Sequence, residues 1–146
     1  MSTDRYTFIA VVHARPSVVR AGLELALRGA SLPTLDIAPH ELPSFERTFE
    51  EVAAELERLP RLYFEPDGSI VWVSSDPADP WQLDGMLYDR AGHVLHMELK
   101  GTCPAEAFDR IIAALGRSGG ELVFQLVREA VYLDDATFRR YAAAAE

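Results

Sequence analysis

Lysine is all but missing from this chain: of its 14 basic residues thirteen are arginine, and Lys100 is the one exception. An ammonium is a compact, movable point charge, whereas a guanidinium is a rigid planar fork. In a chain that uses arginine everywhere else, position 100 is therefore where the ammonium itself can matter. Cysteine is just as scarce. Cys103 alone excludes an internal disulfide and a cysteine-rich zinc site, in keeping with a reducing compartment. No apolar stretch approaches the roughly 20 residues of a membrane helix, and the first residues carry no basic segment followed by a long apolar one. The expectation is a cytoplasmic protein with no membrane partner. Positive charge is short overall, with 14 Lys and Arg against 23 Asp and Glu for a net charge of −9. That excludes a general nucleic-acid binder, since nonspecific affinity comes from basic side chains displacing counterions from phosphates. Glycine-rich phosphate loops, dinucleotide fingerprints, serine nucleophile elbows and zinc motifs are absent as well.

What is present fits one globular domain spanning residues 1–146, with 49% hydrophobic residues to build a core. The spacing predicts a leading strand-helix unit over 1–43 and a main α+β core over 44–146. Residues 6–13 are apolar and partly β-branched, which suits a buried strand. Pro16, the four-residue recurrence of Val19, Leu23 and Leu27, and then Gly29 predict a helix. A connection holding three prolines follows over 30–43. Ser44 is a plausible N-cap for a helix carrying Phe45, Phe49, Val52, Leu56 and Leu59 on one stripe, with six glutamates between Glu41 and Glu57 facing water. Pro60 ends it. Glu65-Pro66-Asp67-Gly68 predicts a hairpin between strands at 62–64 and 69–73.

A second hairpin is the best-defined piece. Strands at 81–88 and 93–100 flank a three-residue loop, Arg90 to Gly92, that sets Asp89 opposite His93. This register gathers Leu83, Gly85, Leu87, Leu95, Met97 and Leu99 on one face. The other face receives Gln82, Asp84, Met86, Tyr88, Val94, His96, Glu98 and Lys100. A helix starting at Thr102-Cys103-Pro104, a central strand at 122–127 whose only polar side chain is Gln125, and a last helix capped by Asp134 or Asp135 complete the chain.

In that register Asp84 lies opposite Glu98, and Lys100 opposite Gln82. Two carboxylates so placed can share Mg2+, a hard cation that wants oxygen ligands and keeps waters for a substrate phosphate. A neighbouring lysine can orient or deprotonate a metal-bound water or balance charge on phosphorus. The helix that follows offers free N–H groups to an anion.

With Asp84 and the Glu98-Leu99-Lys100 triplet, residues 44–128 resemble the PD-(D/E)xK nuclease superfamily. Its core runs helix, three strands, helix, strand, with Asp on the second strand and Glu-x-Lys on the third. The resemblance implies a restriction-endonuclease-like core and metal-dependent phosphodiester hydrolysis. Asp84 and Glu98 would bind magnesium, Lys100 would assist the attacking water, and Gln125 would fill the place of a glutamine on the later strand. One of Glu46, Glu50, Glu51 and Glu55 would add a ligand from the first helix. The chain departs from the pattern at Leu83, where the family name has proline, and in having one strand too many before Asp84.

The remaining candidates read mainly as structure. His96 is either a ligand or proton carrier, or a surface histidine beside Glu98. His13, His40 and His93 show no ligand spacing. Cys103 at a helix start is either a reactive thiolate or a small half-buried side chain. Trp72, Trp81, Tyr63 and Phe64 suit a core, and Trp81 can also line a groove. The fold expectation is an α+β single domain with a mixed, mainly antiparallel sheet and helices packed on it, or alternatively a ferredoxin-like or saddle-shaped sheet. The two functional expectations are the nuclease-like hydrolase and a noncatalytic interaction or accessory module that binds a protein partner or small ligand, with a homo-oligomer as a further form of partner.

Overall fold

The computed structural model describes residues 4–144. Nine strands, β1 (Arg5–Ala14), β2 (Arg20–Leu27), β3 (Ala30–Asp36), β4 (Leu62–Phe64), β5 (Ser69–Val73), β6 (Gln82–Arg90), β7 (His93–Pro104), β8 (Leu122–Leu126) and β9 (Val131–Leu133), form a single sheet. Three helices accompany it, α1 (Phe49–Glu57), α2 (Ala105–Ala113) and α3 (Asp135–Ala143). The strand order is β2-β3-β9-β8-β1-β7-β6-β5-β4. Every pairing is antiparallel, so the α+β class holds and the sheet has no parallel part.

The first strand runs through the middle of this sheet, between β7 and β8. Its alternation decides what the two sheet faces are. Tyr6, Phe8, Ala10, Val12 and Ala14 point into the main core, where they meet residues buried by all three helices, among them Leu56, Ile111 and Phe138. Phe138 stacks on Phe124 with ring centroids 4.4 Å apart, and truncating such a ring to alanine costs roughly 3–5 kcal/mol. The helices thus cover one face. The opposite face, carrying Thr7 and Ile9 of β1, is left without a helix.

The helix predicted over 16–29 is not there: β2 and β3 form a hairpin instead. Arg28 (φ 48°) and Gly29 (φ 80°) make a two-residue turn with both residues left-handed, so the glycine that suggested a helix stop is a hairpin turn. β2 is exposed over nearly its whole length, with Leu23 86% exposed, and no helical stripe is buried. The leading unit is therefore strand and hairpin. α1 begins four residues later than expected, because Thr48 and Glu51 form a reciprocal capping box at 3.1 and 2.9 Å, for which Ser44 has no glutamate three residues on. Phe45 still reaches the core, from an extended segment whose N–H donates to the Val94 carbonyl. The hairpin of β4 and β5, the helix after Pro104 and the Asp134 cap stand as expected.

In the hairpin of β6 and β7 the expected register is displaced. A two-residue turn, Ala91-Gly92, pairs Arg90 with His93, and an irregularity between Tyr88 and Asp89 then leaves Leu95 as an extra residue. Beyond it Tyr88 faces His96, Met86 faces Glu98, Asp84 faces Lys100 and Gln82 faces Thr102. Val94 consequently enters the core in place of Leu95.

Candidate functional site

The helix-free face is crossed by ladders of directly opposed residues. One runs Tyr132, Gln125, Val11, Glu98, Met86 and Ser69 from β9 to β5. The next runs Ile9, Lys100, Asp84, Val71 and Tyr63 from β1 to β4. A third brings Thr7, Thr102, Gln82 and Val73 together, with the Thr7 and Thr102 hydroxyls 3.1 Å apart. Large apolar side chains stand in the open among these charges, with Ile9 at 45%, Val127 at 55% and Tyr63 at 59% exposure.

Toward β9 the face is partly covered. Ile37, Val123 and Tyr132 form a second small core with Val19, Leu35 and Leu42. His13 sits at its margin, buried, with Nε2 2.8 Å from Gln125 Oε1 and its ring 5.2 Å from His96 and 6.0 Å from Tyr132. Burial lowers the His13 pKa to about 4, the Gln125 bond works against that, and His96 adds to the lowering. His96 is lowered too, again first by burial, with Glu98 opposing and Arg90 reinforcing. Its ring lies 4.8 Å from Tyr88, whose hydroxyl donates to Glu98 Oε1 at 3.0 Å and is held protonated by that bond. A chain of contacts thus links Gln125, His13, His96, Tyr88 and Glu98 across four strands.

Beside this cluster, and sharing Glu98 with it, the open face carries a shallow depression. A cleft of about 390 Å³ has the side chains of Ile9, Val11, Met86 and Val127 along its floor and Asp84, Glu98 and Lys100 around them. It adjoins a cleft of about 680 Å³ lined by Thr7, Thr102, Leu27, Arg28, Arg128 and Tyr141, among others. The two share Ile9, Lys100 and Val127, so they are lobes of one depression with Lys100 at the waist. The second lobe exists because β8 pairs with β1 only over Val11 to Ala14, and no described strand pairs with the earlier part of β1 on that side. The tip of the β2–β3 hairpin bends over the gap and is fastened there. Arg28 Nη1 donates to the Thr7 carbonyl at 2.7 Å and the Tyr141 carbonyl at 3.0 Å, and the guanidinium lies 4.0 Å over the Tyr141 ring.

Asp84, Glu98 and Lys100 thus meet in one lobe. The expected face-to-face placement of Asp84 and Glu98 is not found: the two are diagonal neighbours, which stand roughly 7–8 Å apart, against about 5 Å for opposed residues. Asp84 Oδ1 accepts from Gln82 Nε2 at 2.9 Å, and Glu98 from Tyr88. Among the described residues no group of three or more His, Cys, Asp or Glu is placed to hold a metal ion. Gln125 is two strands from Glu98, with β1 between, and bonds His13. Glu46 pairs with Arg117 at 2.7 Å, Glu51 caps α1, and none of Glu46, Glu50, Glu51 and Glu55 lines either lobe. Cys103 is fully buried and its thiol is pushed up to about 12 by desolvation, the opposite of a reactive thiolate. Trp81 packs on buried Trp72 at 5.1 Å, away from the open face.

Ile9, Val127 and Arg128, which line the depression, are not among the residues singled out in the sequence. Ile9 and His13 share the parity of Thr7 in β1, which was a usable signal. Nothing local places 127–129 beside them. No described helix is long and apolar enough to cross a membrane. Comparison with protein-family models, with curated proteins and with solved structures gave no match.

Proposed function

We propose that this chain is a noncatalytic binding module that takes a small ligand in the two-lobed depression formed by the open face of its sheet and the gap beside β1, in the reducing setting of the cytoplasm. The observation that carries the reading is the depression itself, an apolar floor of Ile9, Val11, Met86 and Val127 with a few charged groups at its rim. Small-molecule sites have this composition, and lobes of about 390 and 680 Å³ lie in their size range. Methyl NMR during titration with a set of small amphiphiles and polar compounds tests it. Ligands should perturb Ile9, Val11, Met86 and Val127 together, and perturbations confined to other parts of the molecule would refute the site.

A second reading, metal-dependent phosphodiester hydrolysis, is favoured by one observation: Asp84, Glu98 and Lys100 line the same lobe. Asp84 and Glu98 would hold Mg2+, whose chemistry is to polarise a phosphoryl oxygen and acidify a bound water. The diagonal placement of the acids and their separate hydrogen bonds make this the weaker fit. Heat on magnesium titration that vanishes in Asp84→Asn and Glu98→Gln, together with cleavage of a nucleic acid, would establish it; no heat and no cleavage would end it.

A further inference from the structure

The charges around the depression are unevenly placed, and Lys100 is central to the asymmetry. Asp84 faces Lys100 across the strands and Glu98 lies two residues before it, yet no carboxylate oxygen comes within 4.0 Å of its ammonium among the described residues. Both acids are turned to neutral donors, Asp84 to Gln82 and Glu98 to Tyr88. The ammonium of the chain's one lysine thus stands between the two lobes with no ion-pair partner among the described residues.

The lobes themselves differ. Among the described residues Lys100 and Arg128 line the larger one with one acid, Glu129, and the Thr7 and Thr102 hydroxyls lie in the same wall. The smaller one has Asp84 and Glu98 at its rim and apolar side chains over its floor. An anionic group is favoured in the first and repelled by the second, while an apolar chain gains burial in the second.

Resting on the reading of this depression as a ligand site, we infer that its ligand is an amphiphilic anion. Its charged head, a carboxylate or a phosphate-type group, lies in the larger lobe between Lys100 and Arg128. Its apolar chain runs past Lys100 onto Ile9, Met86 and Val127. Lys100 then selects the head by charge and the floor selects the chain by area, so each half adds to the affinity.

Isothermal titration of the full chain with octanoate, 1-octanol, acetate and inorganic phosphate tests the inference. Octanoate should bind more tightly than the other three, and Lys100→Gln should weaken it about tenfold, as expected for loss of one charge-assisted contact. Lys100→Arg should restore most of the affinity if charge is what matters, and Ile9→Asp should weaken octanoate and 1-octanol alike. Octanol binding as tightly as octanoate, or an unchanged octanoate affinity in Lys100→Gln, would overturn the anionic head while leaving the cleft a binding site. Acetate or phosphate matching octanoate would overturn the apolar chain. If neither octanoate nor octanol binds, the inference and the reading of the cleft fall together.

Discussion

Asp84 and Lys100 face each other across β6 and β7 without forming an ion pair, and Asp84 Oδ1 instead accepts from Gln82 Nε2 at 2.9 Å. An opposed acid and base on an exposed strand pair are ordinarily read as a surface salt bridge, worth about 0–1 kcal/mol when it forms. Here the acid is engaged with its neighbour and the base is left to the cleft.

The stability of the fold should therefore be indifferent to Lys100. Lys100→Gln is expected to change the unfolding free energy in urea by no more than about 0.5 kcal/mol, the ordinary range for exposed positions without special contacts. A loss of 2 kcal/mol or more would mean that the ammonium has a structural partner.

His13 makes stability depend on pH. Its folded pKa of about 4 lies below the ordinary 6.5, so between those values the unfolded chain binds more protons than the folded one. The contribution is fully present above about pH 6.5 and is lost as pH falls through 4. Its size is on the order of 3 kcal/mol from the shift alone. His96, also lowered by burial, adds in the same direction. Urea unfolding followed from pH 7 to pH 4 should fall more steeply for the wild type than for His13→Gln, while carboxylate effects are common to both; parallel curves would show that His13 is not held neutral.

Asp84, Glu98 and Lys100 were assigned to one face correctly because a slip of two residues preserves strand parity, so an incorrect register still gave the right face. Their partners were misread because the extra residue at Leu95 exchanges one apolar side chain, Val94, for another, and the pattern shows no seam. The segment 16–29 misled for a related reason. Val19, Leu23 and Leu27 are four apart, a spacing that puts them on one side of a helix and equally on one face of a strand. The hairpin of β4 and β5 was legible because Pro66-Asp67-Gly68 has turn chemistry of its own, and α3 because Asp134 caps it. The cleft was not legible, since its walls come from Leu27, Lys100 and Val127, brought together only by the strand order.

Arg28 should act as a fastening for the β2–β3 hairpin. Arg28→Ala removes its bonds to the Thr7 and Tyr141 carbonyls and its stacking on Tyr141, with an expected loss of roughly 1–3 kcal/mol. Amide exchange should accelerate around Leu27 to Leu32 more than in β1 or β8. Arg28→Lys should recover only part of this, because an ammonium lacks the planar fork. Uniform acceleration across the sheet, or none, would contradict the assignment.

Cys103 should be inert in the folded protein. Fully buried, with its thiol pushed up to about 12, it is expected to react with an aromatic disulfide reagent only on the timescale of unfolding, and rapidly in urea. Fast labelling of the native chain would place it at the surface.

Gly101 should resist substitution. Its φ is 138°, and an added Cβ would lie 2.3 Å from the Gln82 carbonyl oxygen on the neighbouring strand. Gly101→Ala is expected to cost about 1–3 kcal/mol and to disturb the site next to Lys100; a thermal melt within a degree of wild type would contradict the close approach.

One ligand is proposed to occupy both lobes, with Lys100 between them. Intermolecular NOEs from bound octanoate test it most directly. NOEs are expected from the terminal methyl to Met86 and Val127 and from the carbon next to the carboxylate to Thr7 or Thr102. NOEs from the terminal methyl to Tyr141 and Leu27, with the carboxylate end at Met86, would reverse the assignment, and NOEs confined to the Ile37 and Tyr132 patch would contradict it outright.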